Sequence, residues 1–160
     1  RFPGCFFVIL IKFSNKPIAD MSVPDEFLGT WTFDKHEGFD DLLASKNVPW
    51  VIRKVVIVAG ETKKFTKLGE GKWEAEHQMA TYKAKYEFTM GVEFVTRGME
   101  GIDHKIIVTM RGSTLVETHQ LLDKPNQPLE DHTYHIEGGK LVQTLRNGDI
   151  VAKRYFKRKN

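Results

Sequence analysis

The sequence predicts a mainly β protein, an up-and-down antiparallel barrel with a single pair of helices near its start. From Glu61 onward, apolar and polar residues alternate with a period of two, which is typical of strands with one buried face. Turns that contain glycine separate these runs, as expected for strands joined in series by hairpins. The helical pair is predicted between residues 39 and 58. Serial hairpins with one helical pair fit this kind of barrel.

The composition indicates one soluble globular domain. A chain of 160 residues is long enough to bury a core, and its 41% hydrophobic and 28% charged residues argue against disorder. The net charge is +3, but residues 1–20 hold three of the basic residues and only one acid. The remaining body is almost neutral, so its charge does not favour nucleic acid as a partner.

Residues 1–20 form a leader that the sequence separates from a domain at residues 21–160. Arg1 precedes the apolar run Cys5–Ile11, an arrangement similar to a secretory signal and too short to span a bilayer. The alternative is an untrimmed or upstream-translated segment, with Met21 as the true start. We expect secretion if the leader is a signal peptide, and otherwise a cytoplasmic protein. Cys5 is the only cysteine, which excludes an intramolecular disulfide.

Two short helices are predicted after the first strand. One covers residues 39–47, and the other covers residues 49–58, with Pro49 at its first position and Gly60 just beyond its end. The run Val55–Val58 also favours a buried strand, so that alternative stays open. As a helix, the segment would carry an apolar stripe formed by Trp50, Val51, Val55 and Val58.

The later strands are predicted from alternation and from turn residues. The run Tyr82–Met90 alternates apolar or aromatic residues with charged or polar ones, and the run Ile106–Met110 also alternates. The dipeptides Gly138-Gly139 and Asn147-Gly148 supply the positive φ angles that two-residue hairpin loops require. The last three strands are therefore joined by tight turns.

These two turns predict which side chains face inward on the last three strands. The first turn places Tyr134 opposite Gln143. The second turn, with Asn147-Gly148 as its loop, gives the pairs Leu145–Ile150, Gln143–Ala152 and Leu141–Arg154. The predicted inner face is mostly apolar and carries three polar side chains, those of Arg154, Tyr134 and Gln143.

A guanidinium on such a face needs an anion, because burial of an isolated charge costs several kcal/mol. The last three strands offer no acid on the inner face as predicted, so the simplest partner of Arg154 is a ligand carboxylate. Two alternatives remain for Arg154. It is solvated at an end of the barrel, or it pairs with an acid from another strand.

Two motifs near the start of the domain carry a resemblance to a known family. GTWTF at Gly29–Phe33 is followed by GFDDLL at Gly38–Leu43 and then by Lys46. This spacing resembles the N-terminal signature of the intracellular lipid-binding proteins, which comprise the fatty-acid-binding proteins and their retinoid-binding relatives. The resemblance extends from about Phe27 to Arg158 and implies a ten-stranded barrel with a helix-turn-helix lid. The lead-in at residues 24–30 most resembles the nematode branch.

The resemblance also implies a head-group site. In the family, an Arg-x-Tyr pair on the final strand and another Arg two strands earlier hold a ligand carboxylate. Arg154 matches the first Arg, Phe156 stands in place of the Tyr, and Tyr134 stands in place of the second Arg. Because Phe156 cannot donate a hydrogen bond, Tyr134 must compensate, or the head group sits differently. Tyr82 falls near the family's aromatic gate, where Val51, Val55 and the turn at residues 99–103 would complete the portal.

The resemblance implies a monomeric carrier of long-chain fatty acids or similar hydrophobic monocarboxylates, with an internal cavity, transient membrane contact and no cofactor. One alternative is a retinoid carrier of the same fold, and another is a nucleic-acid-binding or protein-interaction barrel that uses the basic C-terminal strand. No serine lies in a nucleophile motif and no acid–base pair is visible, so an enzyme is not expected. His132 and His135 would face opposite sides of a strand, so no metal site is expected either.

Overall fold

The computed structural model describes residues 22–79 and 82–160, and the predicted leader at residues 1–20 lies outside the described residues. A 3-10 helix covers Asp25–Phe27, and two α-helices cover Phe39–Ser45 (α1) and Trp50–Ala59 (α2). The strands are β1 (Gly29–Glu37), β2 (Thr62–Gly69), β3 (Lys72–Gln78), β4 (Lys83–Thr89), β5 (Phe94–Arg97), β6 (Asp103–Arg111), β7 (Thr114–Leu121), β8 (Glu130–Glu137), β9 (Lys140–Asn147) and β10 (Ile150–Arg158).

The ten strands of the described residues form one antiparallel sheet that is nearly closed into a barrel. The order across the sheet is β4-β3-β2-β1-β10-β9-β8-β7-β6-β5, so neighbours in the chain are neighbours in the sheet. Pairing of β1 with β10, with Trp31 opposite Arg158, joins the two halves. The predicted fold class is confirmed: ten antiparallel strands with two helices near the start.

The barrel has two edges, β4 and β5, which are not paired with each other in the sheet. Side chains connect them instead. The rings of Tyr86 and Phe94 are stacked with their centroids 5.2 Å apart. Beside them, the Tyr82 hydroxyl donates to the carbonyl oxygen of Arg97 at 3.1 Å. Aromatic contacts, rather than ladder hydrogen bonds, therefore hold this side of the barrel.

The core lies inside the barrel, because the alternate residues of each strand point inward. Trp31 is 1% exposed, and its indole Nε1 donates to the carbonyl oxygen of Phe27 at 2.8 Å. Arg158 covers the outside of this indole, with its guanidinium carbon 4.2 Å from the ring centroid. The other large buried side chains of the core include Phe27, Phe65, Trp73, Phe88, Leu115, Leu141 and Phe156.

Helix α1 packs against β10, on the face that also carries Arg154. Phe39 and Leu42 are buried against Ala152. Gly38, just before the helix, has φ 65°, and a Cβ there would lie 2.5 Å from the Val151 carbonyl oxygen. Only glycine fits this approach, since it tolerates positive φ and brings no side chain.

Helix α2 confirms the predicted helix, and the alternative buried strand is wrong. Pro49 precedes the first helical residue rather than occupying it. Val56 and Ile57 pack against the cluster formed by α1 and β10. The predicted stripe of Trp50, Val51, Val55 and Val58 instead points to solvent, with each residue between 57% and 84% exposed. No helix in the described part of the chain is long and apolar enough to cross a membrane.

The register of the last hairpin differs from the prediction by two residues. Tyr134 lies opposite Gln143 as predicted, but Gln143 lies opposite Arg154 and Leu141 opposite Phe156. The loop is therefore Gly148-Asp149, in which Gly148 alone has positive φ (58°) and Asn147 remains in the strand. A slip of two residues keeps every side chain on its predicted face, because strands repeat with a period of two.

Candidate functional site

Arg154 is the centre of the candidate site. It is 6% exposed and lies on the inner face of β10. One terminal nitrogen, NH1, donates to the carboxylate of Glu61 and lies 3.4 Å from Oε1 of Gln143. Arg154 is thus paired with an acid from outside the last three strands, which is one of the alternatives that the sequence leaves open.

Aromatic rings surround the same guanidinium. Its central carbon lies 4.6 Å from the ring centroid of Phe39, 5.3 Å from that of Phe156 and 5.6 Å from that of Phe33. These distances suit cation–π attraction, which is strongest where water is excluded. The aromatic rings also fix the position of the charge, so Phe156 contributes to the site by packing, not by hydrogen bonding.

Glu61 is held between two cations. It immediately precedes β2, and its Oε1 lies 2.6 Å from Nζ of Lys63, a side chain that is itself buried. Burial alone would raise the pKa of Glu61, but the charges of Lys63 and Arg154 outweigh it and hold this pKa well below its usual value. Burial lowers the pKa of Lys63, against the opposite effect of the Glu61 carboxylate. The carboxylate of Glu61 is therefore ionised at neutral pH.

Hydrogen bonds continue from both ends of this ion pair and meet at Glu117 on β7. On one side, Gln143 Nε2 donates to the Tyr134 hydroxyl at 3.0 Å, and that hydroxyl donates to Glu117 Oε2 at 3.1 Å. On the other side, Lys63 Nζ lies 2.9 Å from His77 Nδ1, and His77 Nε2 lies 2.9 Å from the Tyr86 hydroxyl. Tyr86 donates to Glu117 Oε1 at 2.9 Å.

These contacts form a closed circuit across the barrel interior, which we call the polar ring: Arg154, Glu61, Lys63, His77, Tyr86, Glu117, Tyr134 and Gln143. Burial and the neighbouring Glu117 carboxylate raise the pKa of Tyr86 and of Tyr134, so both hydroxyls stay protonated and donate. A buried network of this kind rigidifies the interior where its members are satisfied.

One N–H donor of the polar ring has no acceptor among the described residues. Within residues 22–79 and 82–160, Nε of Arg154 is buried and has no hydrogen-bond partner. An unsatisfied buried donor costs about 1–3 kcal/mol. A guanidinium binds a carboxylate through two parallel N–H groups, so Nε offers one side of Arg154 to an added anion.

Four of the five predicted site residues come together in the structure, namely Arg154, Gln143, Tyr134 and Phe156. The Tyr134 hydroxyl donates to Glu117, where the sequence predicted a ligand carboxylate. Tyr82 is not part of this group by any hydrogen bond, since its hydroxyl is bound to Arg97 at the barrel edge.

Sequence reasoning did not assign the other five members of the polar ring to the site, namely Glu61, Lys63, His77, Tyr86 and Glu117. The sequence of β7 holds a signal for one of them. Glu117 alternates with Leu115, which lies opposite the inward-facing Tyr134, so Glu117 shares the inner face of the strand. An acid at an inward position of a barrel strand is expensive without partners, so it indicates a polar interior. Glu61 gives no comparable signal, because it lies just outside its strand.

Comparison with known proteins identifies the family. No family model matches the chain. Fatty acid-binding protein homolog 4 of Caenorhabditis elegans is 36% identical over 141 residues, which cover 86% of this chain and 97% of that protein. The fatty acid-binding protein homolog of Ascaris suum is 31% identical over 157 residues, which cover 94% of this chain and 95% of that protein.

A solved structure agrees with these matches. As-p18, an extracellular fatty acid binding protein, superposes with a TM-score of 0.82 at 29% identity and covers 86% of this chain and 99% of its own. The predicted similarity to nematode members is confirmed by these relatives. On the strength of sequence and fold together, this chain belongs to the fatty acid-binding protein family.

Proposed function

We propose that this protein binds and carries long-chain fatty acids, or similar hydrophobic monocarboxylates, inside its barrel as a monomer and without a catalytic step. The observation that carries the proposal is the buried guanidinium of Arg154, whose Nε has no partner among the described residues. A carboxylate is the anion that guanidinium binds in a bidentate manner. Membership of the fatty acid-binding protein family supports the same ligand class.

The head group has two ways to reach Arg154. It adds at the Nε side while Glu61 keeps its contact with NH1, or it displaces Glu61, which Lys63 then holds alone. Addition at Nε is favoured, because it satisfies an unpaired donor and breaks no existing bond. Tyr134 then keeps its bond to Glu117 and acts on the head group only through Gln143.

The acyl chain would lie against the apolar inner side chains. These are largely buried in the ligand-free protein, so the chain must share the interior with them and some must change rotamer. The inward apolar set includes Phe65, Phe88, Ile106, Val108, Leu115 and Leu141. Each buried methylene contributes about 0.8 kcal/mol, so each added carbon pair should raise affinity by roughly tenfold or more until the interior is filled.

Displacement of a fluorescent fatty-acid analogue by matched lipids tests the proposal. Oleic acid and oleyl alcohol share a chain and differ in the head group, so the acid should displace the probe at a concentration at least roughly tenfold lower. Equal displacement by acid and alcohol would contradict the role of Arg154. Failure of every fatty acid to displace the probe, together with displacement by retinol, would favour the retinoid carrier.

The basic C-terminal strand does not favour a nucleic-acid-binding barrel. Arg158 donates to the backbone carbonyls of Leu28 and Glu26, and Lys157 lies 2.6 Å from Asp34. Arg158 and Lys157 are therefore bound to other groups of this protein. Lys153 lies on the opposite face of the strand from Arg154. A patch for phosphates needs free cations aligned on one surface.

The exposed face of α2 supports transient contact with a lipid surface. Trp50, Val51, Val55 and Val58 point to solvent, and Lys54 lies among them with its side chain half exposed. Apolar residues with an interfacial tryptophan and a nearby lysine are typical of helices that lie in a membrane interface. Such contact would let a fatty acid pass between bilayer and barrel without crossing water.

Vesicle co-sedimentation tests this contact. Vesicles of mixed neutral and anionic phospholipid should bind the wild-type protein, and Val58→Ser together with Trp50→Ser should abolish that binding. The matched control is Val95→Ser, since Val95 is also 57% exposed but belongs to β5. Equal vesicle binding by all three proteins would contradict a role for the helix.

The location of the protein depends on the fate of residues 1–20. As-p18 is described as extracellular, which supports export for a similar chain. Expression of the full sequence in a secreting cell, followed by N-terminal sequencing of the protein in the medium, decides between the alternatives. A mature terminus near residue 21 supports a signal peptide, and retention of the whole chain inside the cell supports a cytoplasmic protein.

A further inference from the structure

A second group of polar side chains lies inside the barrel, next to the polar ring. Glu117 and His119 belong to β7, and His132 belongs to β8 directly opposite Glu117. One potential ligand atom from each of the three lies within 4.8 Å of the other two. Glu117 is buried and both histidines are largely buried. The hydrogen bonds of the polar ring use Glu117 but neither histidine.

The spacing of these atoms suits a small metal ion. His119 Nε2 lies 3.4 Å from Glu117 Oε2, and the ring centroids of His119 and His132 are 4.1 Å apart. In a tetrahedral zinc site with bonds of about 2.0–2.2 Å, neighbouring ligand atoms are roughly 3.3 Å apart. The Glu117–His119 pair already has this separation, and small rotations of His132 would complete the triangle.

Each histidine also has a second neighbour that would orient it. His119 Nδ1 lies 3.2 Å from Nδ1 of His104, on the far side of its ring from Glu117. His132 Nε2 lies 3.9 Å from a carboxylate oxygen of Glu130. Histidines that bind metals usually donate their other ring N–H to a carboxylate or carbonyl oxygen, and Glu130 would supply such a partner for His132 after a shift of less than about 1 Å.

We propose that Glu117, His119 and His132 form a binding site for a divalent transition metal, with Zn²⁺ as the best match. Two imidazoles and one carboxylate are a donor set that zinc accepts, whereas calcium and magnesium prefer oxygen donors alone. The three ligands leave one coordination position open. Each Glu117 oxygen accepts one tyrosine hydrogen bond and keeps a further lone pair for a metal.

A metal site was not expected from the sequence, because His132 and His135 were predicted to face opposite sides of a strand. Those two side chains do lie on opposite faces of β8, where His135 Nε2 is 3.5 Å from Glu137. The partner of His132 is instead His119 on the neighbouring strand, which pairing of β7 with β8 brings to the same face.

Zinc titration of the chelator-treated protein against a chromophoric competitor tests the proposal. Wild-type protein should bind one equivalent of Zn²⁺ in the micromolar range or tighter. His119→Gln and His132→Gln should each weaken binding at least tenfold, while the matched control His135→Gln leaves it unchanged. Glu117 is not substituted, since its loss would also break the polar ring.

A second measurement on wild-type protein keeps the test decisive if a variant does not fold. Zn²⁺ should shift the imidazole NMR signals of His119 and His132 and leave those of His135 in place. No stoichiometric binding by the wild type would overturn the site. Equal affinity in all three variants, or signals shifted only at His135, would overturn it as well.

Discussion

The charges of Arg154 and Glu61 are buried together, yet Arg154 uses only one of its donor sites to bind Glu61. Burial of such a pair carries a desolvation cost, but for Glu61 the charges of Lys63 and Arg154 outweigh this cost and hold its pKa well below the usual value. The unpaired Nε of Arg154 is the donor at which we propose that an anion binds. The aromatic rings of Phe33, Phe39 and Phe156 surround the guanidinium and fix its position.

Substitution of Arg154 should therefore weaken the binding of a fatty acid much more than the binding of its alcohol. Arg154→Gln removes the charge-assisted hydrogen bonds, which are worth about 1.5–3 kcal/mol, or roughly ten- to 150-fold in the dissociation constant. Probe displacement measures this, with near-ultraviolet circular dichroism to check the fold. Lys153→Gln is the matched control, because Lys153 lies on the outer face of the same strand. Equal losses of affinity in the two variants would contradict the assigned site.

Because of Glu61, the free energy of unfolding should depend on pH in the acid range. Its pKa is held well below the usual 4.5 in the folded protein, so the unfolded chain binds its proton first as the pH falls. The stabilisation from Glu61 is therefore complete above about pH 5 and is lost progressively as the pH drops toward the folded pKa. Both neighbouring cations, Lys63 and Arg154, then lose their counter-charge.

Glu61→Gln should accordingly reduce the free energy of unfolding by about 3–5 kcal/mol at pH 7, the usual effect of removing one partner of a buried pair. The deficit relative to wild type should shrink between pH 5 and pH 3. Urea denaturation at several pH values measures it, and Glu70→Gln, at an exposed turn, is the control. A deficit that is constant with pH would mean that folding does not lower the pKa of Glu61.

At the scale of elements, α2 is anchored by few contacts. Val56 and Ile57 pack against the α1 cluster, and no residue of the helix is fully buried. Elements with little buried apolar area open at low free-energy cost, and such elements commonly gate binding sites. The helix therefore has the properties expected of a lid.

Hydrogen exchange should detect this lid. Amides of residues 51–58 should exchange faster than those of Ile106–Met110 in the ligand-free protein, and should slow when oleic acid is added. Residues 106–110 of β6 act as the internal control, because all five pair with β7 and because Ile106 and Val108 are buried. Protection of α2 equal to that of β6, with or without ligand, would leave the portal elsewhere.

The hairpins explain how far the sequence could predict the elements. Gly138-Gly139 fixed the β8–β9 register, because both residues carry positive φ as two-residue loops of that kind require. The predicted β9–β10 register was wrong by two residues. The loop needs positive φ only at Gly148, and the dipeptide Asn147-Gly148 does not show whether Asn147 or Asp149 is the second loop residue. Arg154 was still correctly predicted to face inward, because a shift of two residues leaves each side chain on the same face of the strand.

The candidate site was predictable only where its residues share adjacent strands. Tyr134, Gln143 and Arg154 follow one another through two tight turns, so local pattern places them together. Glu61 reaches Arg154 only through the pairing of β1 with β10, which closes the barrel, and no local pattern encodes that distance. The exposure of Trp50, Val51, Val55 and Val58 on α2 was not predicted either. An apolar stripe shows that a helix is amphipathic, but it does not show which face packs against the rest of the protein.

At the scale of the molecule, the first and last strands complete the barrel together. Trp31 lies opposite Arg158, and Phe33 lies opposite Phe156, although more than a hundred residues separate them in the chain. Contacts between such distant segments form late, because the loop between them must first be closed. Until β10 pairs, β1 has β2 as its sheet neighbour on one side alone.

This pairing has a consequence for synthesis on the ribosome. The nascent chain emerges from its first residue onward, so β1 to β9 must wait with open edges for β10, the strand that also brings Arg154. Released chains that end at Gly148 should be cleaved rapidly by added protease and should retain no fluorescent fatty acid, whereas full-length chains resist cleavage and bind it. Protection of the shortened chains would show that nine strands suffice. On this proposal the protein can hold a fatty acid only after translation has delivered the final strand.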